Sequence, residues 1–500
     1  MIYVIGSGPS GISISKALLE KNLKVTMLDY GLDLDDSKKI VKKSSSSKHL
    51  VRKKIWGSDF PYINMNKNLT IHPEKYFISN AIGGLSNVWG AAILPFNKNE
   101  LKSWPKKTKN LNKYYKKILN FIPSTISKDS ISKHYNFKNT KKENHNYIDS
   151  LEEFYNNLHK RSHDLESQKI YVGKSKLAVE FNTKGNECTY CNQCMSGCPQ
   201  NLIYNSKSTV LELLKDKNFT YKRGYCVDKF EENLNGLYII CIKDNKIMKI
   251  KAERVYLAAG AISSFKIICK TYRYYNTNFA IKDSAYFILP FISFKKLQDR
   301  NNKNGASHSL AKIFLSVNSN KCNIANLQLY TLNKEIINTA LEKFKLPKFL
   351  NKFLLFFLSK RIILAQGYLS SSNSPGMKIK LTKTASINKV VITPNYASKT
   401  SKFIKDVIKK LNKCTFIFKG KFISSLIYSG YPGESNHFGG IFPMSNRASK
   451  YKTDKYGRLG SSKLIHIVDS SILPSIPSST ITISVMANAY RIGDCFYEYK

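Results

Sequence analysis

Two stretches of the chain carry residue types whose spacing has chemical meaning. The first is IYVIGSGPSG, residues 2–11, in which an apolar run meets Gly6, Gly8 and Gly11. An amphipathic pattern follows to about Lys21, then a second apolar run, Val25 to Leu28, that ends on Asp29. Strand, glycine turn, helix, strand and acid in this order form a dinucleotide-binding fingerprint. Gly6 permits the tight turn, Gly8 lets the backbone approach a pyrophosphate, and Gly11 lets helix and strand pack closely. The helix start offers N–H groups to anionic phosphates. Asp29 is placed to accept hydrogen bonds from an adenosine ribose. The second stretch, CTYCNQCMSGCP, sets Cys188, Cys191, Cys194 and Cys198 at the spacing of a bacterial ferredoxin run, proline included. Thiolates so spaced can wrap an iron–sulfur cluster or a Zn²⁺ ion, or remain metal-free structural thiols. A complete site uses all four, or three with a remote thiol from Cys226, Cys241, Cys269, Cys322, Cys414 or Cys495.

These residues need a scaffold larger than one compact core. A chain of 500 residues implies two or more domains, and its 42% hydrophobic content supports a folded globular protein. The fingerprint starts at residue 2, which leaves no room for a signal peptide, and no apolar run reaches the length of a membrane span. A cytoplasmic protein with reduced cysteines is therefore expected. The formal charge is +46, from 80 Lys and Arg against 34 Asp and Glu. Codon bias toward Lys, Asn and Ile accounts for part of this but not for the shortage of acids. An anionic partner accounts for the rest: a membrane surface, an acidic polysaccharide or nucleic acid, the last ranked lowest because no nucleic-acid motif accompanies the charge.

Along the chain, KKIVKKSSSSKHLVRKK (residues 38–54) reads as a basic loop, and AIGGLSNVWGAAILPF (81–96) as a buried, glycine-marked segment. Residues 100–180 are polar, with Tyr and Leu at helical spacing, and read as helices and loops. Strands are expected at about 219–227, 237–243 and 247–258. Residues 285–430 alternate β-like runs with Lys-rich loops and suggest a second, sheet-containing domain. Within it, residues 343–361 place Phe349, Phe353, Phe356 and Phe357 on one helical face and Lys345, Lys348 and Lys352 on another. That pattern suits a helix packed on the core, or one lying in a membrane interface.

The C-terminal segments NHFGGIFPM (436–444) and TDKYGRLGSSKLIHIVDSSILPSIPSSTITISVMANAYRIGD (453–494) narrow the reading. They resemble the C-terminal part of the glucose–methanol–choline (GMC) oxidoreductases: a His-x-x-Gly segment ending in Met, an Asp, a Gly-Arg turn, and a Val-Asp-x-Ser…Leu-Pro…Pro run leading into a final helix. GGLSNVWG (Gly83–Gly90) is similar to that family's flavin-contacting glycine motif. AAGAISS (Ala258–Ser264) is similar to its strand-to-helix turn near the adenine. The resemblance covers about a third of the chain by the same motif-in-context standard.

The resemblance implies an α/β fold: a Rossmann-like FAD-binding domain built from both chain ends (1–284 and 431–500), with an inserted antiparallel substrate domain (285–430). It implies FAD contacts at Gly6, Gly8, Gly11, Asp29, Gly83, Gly84, Ser86, Trp89, Val227, Ala259, Gly260, Asp469 and Ser470. His437 takes the position of the family's catalytic base, which accepts the hydroxyl proton while hydride reaches the flavin. The second catalytic position, usually His or Asn, is Thr480, which can orient a substrate oxygen but is no base at neutral pH. The histidine that carries covalent flavin in one branch of the family is replaced by Val88, so the FAD is expected to be non-covalent. The implied activity is oxidation of a CH–OH group of a sugar or polyol by a dehydrogenase whose electron acceptor is open. An iron–sulfur cluster on the cysteine run would pass the electrons onward. Two rivals stand beside it: a long-chain alcohol oxidase or dehydrogenase at the inner membrane surface, and a degenerate member that only binds an anionic surface.

Overall fold

A computed structural model of the chain describes residues 1–33, 62, 69–72, 76–137, 151–183, 186–188, 190, 194, 197–297, 309–320, 323–331, 361–383, 388–395 and 398–499. The basic loop at 38–54, most of the segment 343–361, and Cys191 and Cys322 lie outside the described residues.

The four apolar residues of Ile2–Ile5 are all buried, and they form the middle strand of a parallel five-stranded sheet. Its order is Ile465–Ile467, Arg254–Leu257, Ile2–Ile5, Val25–Leu28, Phe219–Lys222. Uninterrupted apolar strands suit a parallel sheet covered on both faces. The helix Pro9–Leu19 starts with proline at its first position, where no N–H partner is needed. It packs against the C-terminal helix Thr482–Asp494. There a Cβ on Gly493 would come within 2.8 Å of Ala17 Cβ. The two ends of the chain thus share one sheet and one helix layer, as expected.

Two antiparallel sheets stand beside it. One orders Phe438–Gly439, Phe279–Asp283, Gly376–Lys383 and Asn388–Asn395, with Leu69–His72 added in parallel. This sheet runs across the expected boundary at 284/285, because strands from the inserted stretch pair with strands that flank it. The other has seven strands. Gly420–Phe422, Tyr286–Ser293, Ile362–Leu369, Asn323–Thr331, Ile313–Asn320 and Ile170–Lys174 follow in order, and Tyr428–Ser429 pairs with Tyr286–Ser293. The strand Ile170–Lys174 closes a stretch read as helices and loops. The helices Asn112–Phe121 and Glu152–Lys160 do occur there, and their periodicity hides the five-residue strand beyond them. The run expected at 219–227 divides into Phe219–Lys222, in the parallel sheet, and Cys226–Asn233, in a separate three-stranded antiparallel sheet.

Period-2 alternation gives the seven-stranded sheet two unlike faces. Ala325, Leu327, Leu329, Ile363, Ala365 and Leu369 face a hydrophobic core with Phe287, Phe291 and Val407. Gln328, Tyr330, Gln366 and Tyr368, between them in sequence, face the other way.

Candidate active site

The turn after Ile2–Ile5 is built from backbone. Gly6 has φ 101°, a region closed to most L side chains, and a Cβ there would also lie 2.7 Å from Ala258 O. A Cβ on Gly11 would sit 1.9 Å from Gly6 O, so the helix can pass this close under the strand only with glycine there. At Gly8 a Cβ would meet nothing within 4 Å. Gly8, Pro9 and Ser10 border a cavity, so the helix start and its unbonded first-turn N–H groups face open space. Asp29 follows the second strand and lines the same cavity. Its Oδ2 accepts from Ser7 Oγ and, at 3.1 Å, from Tyr221 OH. Burial pushes its carboxyl up to about 6 against those hydrogen bonds. Ser7 Oγ also accepts from Gly83 N at 2.9 Å, tying the second glycine segment to the first.

The cavity is continuous, with a volume of about 610 Å³, inside the range of small-molecule and cofactor sites. From the glycine turn it passes Val227, Ala259 and Gly260, then Gly84, Ser86 and Trp89, and reaches Asp469, Ser470, Thr480 and His437. Two expected contact residues are not among its lining. Gly11 packs against Gly6, and a Cβ on Gly83 would lie 2.9 Å from Lys207 N, so both glycines serve close packing instead. Asp469 borders the cavity, but its carboxylate is engaged within the chain. Oδ2 accepts from Gly260 N (3.0 Å) and Ser264 Oγ, and Oδ1 accepts from Ser471 N (3.0 Å) and Ser471 Oγ (2.5 Å). It pins the C-terminal segment to the start of the helix Ala261–Thr271. Trp89 has a structural bond as well, donating from Nε1 to Tyr204 O at 2.8 Å.

His437 stands at the far end. The run His437–Gly440 passes so close to Ser470 that a Cβ on Gly439 would lie 2.1 Å from Ser470 O, which explains the paired glycines after the histidine. The imidazole is half-buried, tilted 33° against Tyr368 at a centroid distance of 5.0 Å. Its Nδ1 is sealed from solvent and has no hydrogen-bond partner among the described residues. Burial pushes its pKa down to about 4, so the ring is neutral at physiological pH. Its backbone is held from two sides. His437 N donates to Ser435 Oγ (2.9 Å), which donates to Asp283 Oδ1 (3.1 Å), and Asp283 Oδ2 accepts from Gly433 N (2.7 Å). His437 O accepts from Ser284 N (3.1 Å). Burial pushes Asp283 up to about 7.

Thr480 reaches the cavity just ahead of the helix Thr482–Asp494, and its Oγ1 accepts from Leu94 N at 3.3 Å, leaving its O–H free to donate. Its loop is fixed by buried Glu100, whose Oε1 accepts from Ser478 N (2.6 Å) and Ser478 Oγ (2.9 Å). The wall opposite is the polar sheet face. Gln328 pairs with Gln366 across the strands, Tyr330 OH donates to Gln328 Oε1 (2.9 Å), and Tyr368 OH donates to Gln366 Oε1 (3.4 Å). Among the described lining residues, Lys266 is the one lysine or arginine. It lies by the Ala258–Ile267 end, 3.8 Å from Asp228. Sequence reasoning missed Ser7, Asp283, Glu100 and the Gln–Tyr face. Only the alternation of 325–330 and 363–369 could have pointed to the last.

The described cysteines of the run are not among the residues that line the cavity. Cys188, Cys194 and Cys198 are half-buried, and Cys191 is outside the described residues. Among the described residues no three His, Cys, Asp or Glu side chains are grouped to hold a metal ion. Of the other thiols, Cys226 lines the cavity, and Cys241, Cys269 and Cys414 are buried.

No protein-family model and no curated protein sequence matches the chain. Solved structures do. The pyridoxine 4-oxidase from Mesorbium loti superposes with a TM-score of 0.64 over 100% of this chain and 99% of its own, at 10% identity. A formate oxidase structure gives 0.63 over 99% and 98%, at 12% identity. A variant of the Aspergillus oryzae RIB40 formate oxidase, made to study FAD modification, gives 0.62 over the same shares at 11% identity. The chain therefore has the fold of these flavoenzyme structures from end to end.

Proposed function

We propose that the protein is an FAD-dependent oxidoreductase of the glucose–methanol–choline type that oxidises a CH–OH group. The observation that carries this reading is the single cavity that joins a glycine-built phosphate site to a neutral histidine whose Nδ1 has no partner among the described residues. The residues present suit the dinucleotide. The helix start at Gly8–Ser10 would hold the pyrophosphate, Asp29 and Val227 would serve the adenosine, and Gly84, Ser86 and Trp89 would hold the flavin half, which supplies the redox chemistry. Val88 offers no nucleophile for a covalent link at that position, in keeping with a non-covalent cofactor. The full-length fold match to oxidases, one of them studied for its FAD, supports the same assignment.

A bound flavin supplies the hydride acceptor. The chain supplies the rest. His437 is uncharged and accepts the hydroxyl proton of the substrate, and Thr480 donates a hydrogen bond to orient its oxygen. Gln328, Tyr330, Gln366 and Tyr368 present neutral donors and acceptors, which suit a hydroxyl compound such as a polyol or sugar. The names of the structural neighbours favour an oxidase over the dehydrogenase expected from sequence. Anaerobic mixing of purified protein with a panel of polyols, sugars and long-chain alcohols tests the reading. Bleaching of bound flavin by a neutral polyhydroxyl compound, followed by recovery in air, is expected. Flavin that no alcohol in the panel reduces would contradict it.

A further inference from the structure

The strand Tyr286–Ser293 starts beside the cavity, with Tyr286 opposite Tyr368, and its other end forms a distinct surface. There it pairs with Gly420–Phe422, setting Phe291 against Phe422 and Ser293 against Gly420. Phe294 N donates to Lys419 O at 2.8 Å, and the Arg361 guanidinium donates to Phe294 O. Below this edge Phe291, Phe418 and Phe422 pack ring to ring at 4.8–6.2 Å, so the core is already filled with aromatics. Two further rings are left outside it. Phe416 is 95% exposed and Phe294 58%. Phe416 and Phe418 share the short helix Thr415–Phe418, and with Phe418 turned inward its neighbour two positions away faces out.

The charge close to these rings is mostly positive, with the exposed acids Glu152 and Glu153 on the helix Glu152–Lys160 that packs against Thr415–Phe418. Lys295, Lys296, Lys413, Lys419 and Lys421 are exposed, and none has an acidic partner among the described residues. The sequence has no Asp or Glu between Asp283 and Asp299, nor between Asp406 and Glu434. Elsewhere surface lysines do pair, as Lys117 does with Glu20 and Lys249 with Glu231. Protruding aromatic rings among exposed lysines without a described acidic partner have the chemistry of a bilayer interface. The rings suit the boundary between headgroups and acyl chains, and each lysine near an anionic surface adds to the attraction. Exposed Leu426, on the same edge, adds an aliphatic side chain that suits acyl chains and gives no stacking surface to a nucleic acid base.

We propose that this end of the seven-stranded sheet docks on an anionic phospholipid bilayer, with Phe294 and Phe416 inserted and the five lysines against the headgroups. The test is co-sedimentation of the full chain with phosphatidylcholine vesicles, with or without phosphatidylserine. Binding to the anionic vesicles is expected to exceed binding to neutral ones by about tenfold or more. The double substitution Phe294→Ser and Phe416→Ser should lower it by about tenfold with an unchanged melting temperature. Leu234→Ser, on a separate hairpin where Leu234 is also fully exposed, should leave it unchanged. Absence of vesicle binding overturns the proposal. So does full binding by the double variant, which would reduce the surface to non-specific charge. Retention of an oligonucleotide that depends on the two phenylalanines, without vesicle binding, would assign the surface to nucleic acid instead.

Discussion

The two ends of the cavity are made of different material. At the glycine end the working parts are backbone: Gly6 turns the chain, Gly11 admits it, and Gly8 exposes the helix start. At the other end they are side chains, His437, Thr480 and the Gln–Tyr face, held in place by buried acids at Asp283 and Glu100. A backbone site tolerates almost no added atom but little depends on its side-chain chemistry. A side-chain site tolerates changes of shape and fails when one functional group is lost. Binding and chemistry should therefore separate cleanly when each end is altered.

The largest expected effect tests the side-chain end. His437→Ala should slow flavin reduction by roughly 10²–10⁴-fold while FAD content and melting temperature hold, read by anaerobic stopped-flow. Loss of FAD instead would merge the two ends. At the glycine end, Gly11→Ala places a methyl group 1.9 Å from Gly6 O and should cost about 3 kcal/mol or more, seen as apo or insoluble protein. A stable holoenzyme with a mere rate defect would break the comparison.

Asp283→Asn is a finer probe, since it keeps the volume and removes one acceptor from the loop that carries His437. A loss of about tenfold in reduction rate at full FAD content is expected. The same variant has a pH signature. Folding raises the Asp283 carboxyl from its ordinary 3.8 to about 7, so the folded state binds a proton there that the unfolded state does not. Stability linked to Asp283 is then present below its ordinary pKa and lost as pH rises through about 7. His437 acts in the opposite sense below its ordinary 6.5, because burial lowers its pKa to about 4. Half-buried His134 and buried His466, lowered to about 4 and about 3, share the sense of His437, so the aspartate is read by difference. As pH falls from about 8 to 6.5, the melting temperature of the wild type should shift in its favour relative to Asp283→Asn. Smallest of all, Thr480→Val removes one hydroxyl, keeps the shape, and should raise KM or lower kcat by about five- to tenfold without touching FAD.

The same contrast decides what could be read from the sequence. Gly6, Gly8, Gly11 and Asp29 fall within one contiguous strand–turn–helix–strand. Glycines spaced this way meet one structural need, a tight turn with backbone in close approach, so the nucleotide end and the parallel sheet were legible. His437 and Thr480 were singled out through resemblance to motifs around them, and both line the cavity. Gln328, Tyr330, Gln366 and Tyr368 were not, because they are common residues on one face of two strands whose pairing only the fold reveals. Asp283 and Glu100 were hidden for a related reason: a lone acid in an apolar or polar run gives no sign that it will be buried against a distant loop. Gly11, Gly83 and Asp469 were assigned to the cofactor from their motifs; Gly11 and Gly83 are close-packed outside the cavity lining, while Asp469 lines the cavity with its carboxylate bonded within the chain.

One measurement reaches the central claim, that this cavity is a non-covalent FAD site with His437 at its reactive end. The purified full chain should show flavin absorption, and heat denaturation should release FAD into the supernatant in a one-to-one ratio with protein. A colourless protein that takes up no added FAD would contradict the account.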